Sequence, residues 1–274
     1  MAAATEEAML EMLSGETRIF VIIGHPIAQV KAPAGMTKGF VERGRNAIVV
    51  PIHVLPENVD AFIEALGPIR NVDGIIATVP HKFAARRHCS SVSARARLLD
   101  SANVVRRNAD GSWDGDMTDG QGFVSAMMQT GCKPQGQRAL LVGAGGAGSA
   151  IGLQLLDSGV AELAVHDMDG AKRDALIAKL SGMHPGKVVP GSADPTGFSI
   201  VANATPMGMK QDDPLPVEVS RLKPETFVGD VITVPEVSPL LEAARRIGCR
   251  TQTGVGMFLA QREVMLDFLE GKPI

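Results

Sequence analysis

Tyrosine is absent from this 274-residue sequence, tryptophan occurs once, as Trp113, and aromatic residues amount to 4%. So thin a supply offers no platform on which successive bases could stack. A dominant charge is missing too: 27 Lys and Arg stand against 30 Asp and Glu, a net charge of -3 with the signs interspersed. No basic stripe is available to displace counterions from a phosphate backbone, so nucleic acid is not expected as a partner. Cys89, Cys132 and Cys249 are odd in number, widely spaced and never in a C-x-x-C pair, which argues against a disulfide framework and a zinc site and leaves three reduced thiols. No apolar run approaches the roughly 20 residues of a bilayer span, and Met1–Glu7 carries no basic residue. A soluble, cytoplasmic protein without a membrane partner is the expectation.

What the sequence has in abundance is aliphatic residues and glycine, 30 of the latter. At about 150 residues per domain the length suggests two domains, each long enough for a core. Apolar runs of strand length alternate with segments of helical period, the pattern of βαβ units and parallel sheets. The fold class expected is α/β, with an N-terminal α/β domain and a doubly wound, parallel-sheet dinucleotide domain. Strands are expected at 18–24, 47–53 and 74–79, and helices at 34–42 and 59–66. The strand at 74–79 runs into Pro80, which places Lys82 at a strand's end, where α/β sites form. Asp110-Gly111 marks a hairpin turn within 108–116. The domain boundary is set at 118/119, with the second domain running to 254 and an apolar helix at 255–274 returning to complete the first.

The clearest motif is Gly143-x-Gly145-x-x-Gly148, between a strand at 139–142 and a helix running through Leu156. Its glycines permit a tight turn, close approach of backbone to a pyrophosphate, and packing of helix on strand. Gly143, Ala144, Gly145, Gly146, Ala147 and Gly148 are therefore cofactor-binding candidates, the free N–H groups of the helix start facing the phosphates. Asp167 follows Gly148 by 19 residues, at the end of a strand over 162–166. There it can accept from the adenosine ribose hydroxyls and repel a 2'-phosphate, favouring NAD over NADP. It could instead cap the helix beginning near Gly170, as could Asp169, while Lys172 and Arg173 could reach a 2'-phosphate or simply face solvent. Lys82 and Asp119 fit no amphipathic pattern. Such a pair can shuttle a proton to or from an alcohol, and an ordinary surface salt bridge is the plainer reading. His53 and His88 have no partner at metal-ligand spacing, so no metal is assigned. Alternation along an extended segment would turn His81 away from Lys82, in a structural role.

Several segments together resemble the shikimate and quinate dehydrogenases: Gly24 to Pro33, Thr78-Val79-Pro80-His81-Lys82, Gly115 to Gly120, Asn203 to Met209, Gly229-Asp230 with Ser238 to Leu241, and Gly254 to Gln261. They occur in the family's order, from about Thr17 to the C-terminus. The resemblance implies a substrate domain completed by the C-terminal helix, with Lys82 as acid/base and Asp119 as its partner. Thr78, Asn103 and Gln261 fall among its substrate-binding positions, Asn103 and Gln261 as ligands of ring hydroxyls. Thr205, Val231, Gly254 and Met257 fall among its cofactor-binding positions. Without it, Gln261 reads as a polar residue on an exposed helix face and Asn103 as a turn former.

The departures bear on the substrate. Where the family has two serines that bind the substrate carboxylate, this chain has Val30 and Ala32. Gln29 stands where the family usually has His, Ile76 where Asn is common, and about Thr233 where a Tyr is common. Lys31, Gln29, His25 or Thr233 could rebuild an anion site, or Lys31 could be a solvated lysine. The expectation is an NAD-preferring enzyme, with NADP possible, that oxidises a ring secondary alcohol: a cyclic polyol like shikimate or quinate, or one lacking the carboxylate. A non-catalytic, dinucleotide-responsive regulator is the alternative, and a homodimer is compatible with either.

Overall fold

The computed structural model describes residues 13–210 and 212–272; the start at Met1–Glu7 and the last two residues of the helix expected at 255–274 lie outside them. Two compact units divide the chain, residues 1–118 with 262–274 and residues 119–261. The fold is α/β.

The first unit contains, in order, β1 (Arg18–Gly24), α1 (Ala32–Glu42), β2 (Ala47–His53), α2 (Val59–Ala65), β3 (Val72–Ala77), α3 (Lys82–Arg87), β4 (Ser91–Val92), α4 (Ala94–Leu99), β5 (Val104–Arg107) and β6 (Trp113–Asp116). They form one mixed sheet ordered β2-β1-β3-β5-β6-β4. β2, β1 and β3 are parallel, with Gly24 opposite His53, whereas β5 runs antiparallel to β3 and β6. The apolar runs explain the core, since Val21, Ile23, Ile63 and Ile75 are all nearly inaccessible. The β5–β6 connection turns at Gly111 with φ of +88°, and the Asp110 carboxylate accepts from the Ser112 N–H at 2.9 Å. One expectation needs correcting. β3 stops at Ala77, and Lys82 is the first residue of α3, not the end of a strand; two residues after Ala77, Val79 precedes a proline, which cannot donate to a sheet ladder.

The second unit contains α5 (Asp119–Gln129), β7 (Arg138–Val142), α6 (Gly146–Asp157), β8 (Glu162–His166), α7 (Gly170–Ser181), β9 (Val188–Pro190), β10 (Ile200–Asn203), β11 (Phe227–Asp230), α8 (Pro239–Ile247), β12 (Arg250–Gln252) and the start of α9 (Gly254–Leu269). Its sheet is parallel throughout, ordered β9-β8-β7-β10-β11-β12. Counted within the unit this is 3-2-1-4-5-6, the Rossmann order, whose switch point lies between β7 and β10. The glycine turn follows β7 directly. Helix α9 is shared: it belongs to the second unit through Gln261 and to the first from Arg262. Its later turns are tied to α1 by Arg43, which donates to Glu263, Asp267 and Glu270, each at 2.7 Å.

Candidate active site

In the second unit the glycine turn has the geometry of a phosphate cradle. Gly143 adopts φ of +103°, a conformation that L side chains avoid. A Cβ on Gly148 would stand 1.9 Å from the Gly143 carbonyl oxygen, so only glycine lets α6 close on the strand end, whereas nothing lies within 4 Å of a Cβ on Gly145. Gly145 is the N-cap residue of α6 and no side chain caps that turn. With Gly146 and Ala147, it presents backbone N–H groups and the positive end of the helix dipole to an open face. The residues present thus fit the pyrophosphate of a dinucleotide. Ala144 is buried, and its N–H donates to Asp167 at 2.7 Å.

That bond fixes Asp167 against the glycine turn, and its other oxygen accepts from the Asp169 N–H at 2.8 Å. Asp169, not Asp167, caps α7, accepting from Ala171 and Lys172. Lys172 pairs with Asp169 and Arg173 with Asp174. Thr205 follows β10; its hydroxyl donates to the Asn203 side chain at 2.7 Å and accepts from the Met207 N–H at 3.2 Å. Val231 is half-buried, and Gly254 donates from its N–H to Ile232 at 3.1 Å. Met257 is buried on the first turns of α9. Gln261 is buried as well, which removes the exposed-face reading, and its amide donates to the Asp119 carboxylate at 3.1 Å. Asp119 itself is buried at the start of α5.

In the first unit, Lys82 is buried at the head of α3, and its carbonyl accepts from the Ala102 N–H at 3.0 Å. His81 just before it is helical, with φ of -88° and ψ of -1°, so strand alternation does not describe it. Its buried ring instead bonds the Val54 carbonyl at 2.7 Å, and burial depresses its pKa. Asn103 is no turn former: its side chain accepts from the Thr118 N–H at 2.8 Å and donates to the Thr118 hydroxyl at 3.1 Å, bracing the segment that leads to Asp119. Beneath it the fully buried Asp116 carboxylate accepts from Arg95, Ser93 and the Met117 N–H. The sequence alone gives Asp116 no role, because the Ser93 and Arg95 side chains that reach it lie some 20 residues upstream and only folding brings them to it. Thr78 lies half-buried beside Gly24, donating from its N–H to the Ile23 carbonyl at 2.9 Å.

The segment from His25 to Ala32 shows what replaces the serines. Val30 is half-buried and Ala32 opens α1, whose N-cap residue, Lys31, gives no side-chain cap. Gln29 donates to the Pro26 carbonyl at 2.8 Å. His25 shares a 2.8 Å hydrogen bond with His53 and stacks on its ring, a pairing of neighbouring strand ends that spacing alone did not suggest. Thr233 is half-buried beyond β11. Cys89 is held as a thiol, its pKa pushed up to about 12 by burial. Among the described residues no group of three or more His, Cys, Asp or Glu could hold a metal ion, and no helix is long and apolar enough to cross a membrane.

Residues 22–105 match the family of shikimate dehydrogenase substrate binding domains. A shikimate dehydrogenase (NADP(+)) of Rubrobacter xylanophilus is 34% identical over 255 residues, 91% of this chain and 89% of that one. This chain belongs to the shikimate dehydrogenase family. A quinate dehydrogenase from Corynebacterium glutamicum, solved with NAD, superposes with a TM-score of 0.82 at 28% identity, covering 93% of this chain and 94% of the other. A ligand-free 5-ketofructose reductase of Gluconobacter sp. strain CHM43 superposes at 0.81 and 27% identity, covering 95% of each. As a family member the chain is an NAD(P)-dependent oxidoreductase of the ring-alcohol type, and the non-catalytic alternative falls away.

Proposed function

We propose that this enzyme prefers NAD and passes hydride between it and a ring secondary alcohol that carries no carboxylate where shikimate has one. The observation that carries the substrate reading is the apolar pair Val30 and Ala32 at the head of α1. Two of the four polar neighbours that could compensate are engaged elsewhere: Gln29 with Pro26, and His25 with His53. A hydrogen bond to a charged group contributes about 1.5 to 3 kcal/mol, so two lost hydroxyls weaken carboxylate recognition by about two to four orders of magnitude. A neighbour of the same fold is named for a keto sugar, 5-ketofructose, which carries no carboxylate, and this supports the reading.

The NAD preference rests on Asp167, whose carboxylate is held beside the glycine turn, and on the acidic partners that engage Lys172 and Arg173. The curated relative named above carries NADP in its name, and the quinate dehydrogenase was solved with NAD, so both cofactors occur in this family. When bound, the nicotinamide ring accepts or gives the hydride. The chain's residues do the rest. Lys82 takes the proton of the alcohol and returns it in the reverse reaction, with Asp119 as its partner, a contribution of typically 10² to 10⁴ in rate. Asn103 and Gln261 orient the ring hydroxyls, Thr78 lines the substrate unit, and Thr205, Val231, Gly254 and Met257 contact the cofactor. Residues 1–118 with the C-terminal helix form the substrate domain, and the Rossmann unit holds the dinucleotide.

The deciding experiment is the initial rate of NAD and of NADP reduction against shikimate, quinate, carboxylate-free cyclitols and alicyclic diols. NAD-linked turnover of a carboxylate-free ring alcohol with little on shikimate is expected. Shikimate turned over as fast as by an ordinary family member would refute the substrate reading.

A further inference from the structure

One buried carboxylate in the Rossmann unit joins segments that the chain separates widely. Asp230, at the end of β11, is fully inaccessible to solvent. One of its oxygens accepts from the Asn203 side-chain amide and from the Ile232 N–H, each at 3.1 Å. The other accepts from the Ser238 hydroxyl at 2.5 Å. Each donor leads onward. Asn203 accepts from both the N–H and the hydroxyl of Thr205, at 3.1 and 2.7 Å. Ile232 accepts from the Gly254 N–H at 3.1 Å, and any Cβ on Gly254 would stand 2.4 Å from the Val231 and Ile232 carbonyl oxygens. Ser238 caps α8 by accepting from Leu241.

We infer that Asp230 is a positioning residue for the cofactor: through Asn203 on one side and Ile232 on the other it fixes Thr205, Val231 and Gly254 as one rigid rim at the carboxyl ends of β10 and β11. The inference rests on the reading that those three residues face the dinucleotide. A buried carboxylate has to be satisfied by donors, and this one meets donors from three segments at once. Burial raises the Asp230 pKa while the bonds from Ser238, Ile232 and Asn203 lower it. The cluster serves two ends. The Ser238 arm stabilises α8, whereas the Asn203 and Ile232 arms reach residues proposed to touch the cofactor. Cutting different arms therefore separates stability from binding.

The test compares Asp230→Ala, Asn203→Ala, their combination and Ser238→Ala in the full-length protein, measuring melting temperature, NAD and NADH dissociation constants, and KM for NAD against kcat. Ser238→Ala is expected to melt lower while its NADH dissociation constant stays within twofold of the parent. Asn203→Ala and Asp230→Ala are expected to raise the dissociation constants and KM about tenfold with kcat changed far less. The loss in the double variant should be smaller than the two single losses combined, since the Asn203–Asp230 tie is cut in each. Should Asp230→Ala fail to fold, Asn203→Ala against Ser238→Ala still decides. Affinity that follows melting temperature across the set, or that is unchanged in Asn203→Ala, overturns the positioning role. A parent protein that binds neither NAD nor NADP overturns instead the cofactor reading beneath it.

Discussion

Helices α1 and α6 begin in the same way and in different company. Each follows the first strand of its unit, β1 or β7, and neither start has a side-chain cap. At α6 the flanking residues are Gly145, Gly146 and Ala147, with open space over Gly145, so the backbone N–H groups and the dipole are left to an anion. At α1 they are Val30, Lys31, Ala32 and Pro33, where the proline has no N–H and neither the valine nor the alanine has a hydroxyl. On the reading proposed above, the same backbone device would serve a phosphate in one unit and, stripped of hydrogen-bonding side chains, would not favour a carboxylate in the other. On that reading, ligand choice would lie in the few side chains beside a helix start.

The contrast breaks first at the chemistry. Lys82 lies in the first unit and the glycine turn in the second, so Lys82→Ala should cut turnover by about 10² to 10⁴ while the NAD dissociation constant, read by calorimetry, stays within twofold. Full activity in that variant would strip Lys82 of its role. Next, restoring the hydroxyls with Val30→Ser and Ala32→Ser should raise kcat/KM for shikimate by about 10² or more, each bond to a charged group being worth roughly 1.5 to 3 kcal/mol. No gain would place the substrate choice elsewhere than at α1.

How far the sequence could be read follows the same division. The Rossmann half was legible because its signals are local: three glycines, a strand before them, a helix after, and an acid 19 residues on. The short strands β9 and β12, three residues each, went unread because so brief a run carries no periodicity. In the first unit, Asn103 was found only through resemblance, and Lys82, noticed at the end of an expected strand, read more plainly as a surface salt bridge until the resemblance favoured an acid/base. Asp116 with Arg95, and His25 with His53, were missed as pairs because each joins residues more than 20 positions apart that only the folded chain brings together. In the knot around Asp230 the same holds for the Asn203 arm.

A third test sharpens the anion side of the comparison. Asp167 stands beside the glycine turn as a fixed carboxylate, so a 2'-phosphate on the ribose would meet a like charge, and Asp167→Ser removes that repulsion. The ratio of NAD to NADP affinity should fall about tenfold, measured as the two dissociation constants under one buffer condition. An unchanged ratio would shift the discrimination to Asp169 or to Lys172.

The smallest effect concerns the support beneath Lys82. His81 packs its ring in the core against the Val54 carbonyl, and burial holds its pKa below the usual imidazole range. The folded protein therefore resists a proton that the unfolded chain accepts near pH 6.5. Sign follows directly: the stability this neutral ring contributes is complete above the unfolded pKa and is lost as pH falls through the folded one. His81→Asn retains an N–H for Val54 and removes the titration. Its melting temperature should start slightly lower at pH 7.5 and decline less than that of the parent between pH 7 and 5. Parallel curves would mean that other groups carry the acid sensitivity, and that the head of α3 is held by packing without regard to charge.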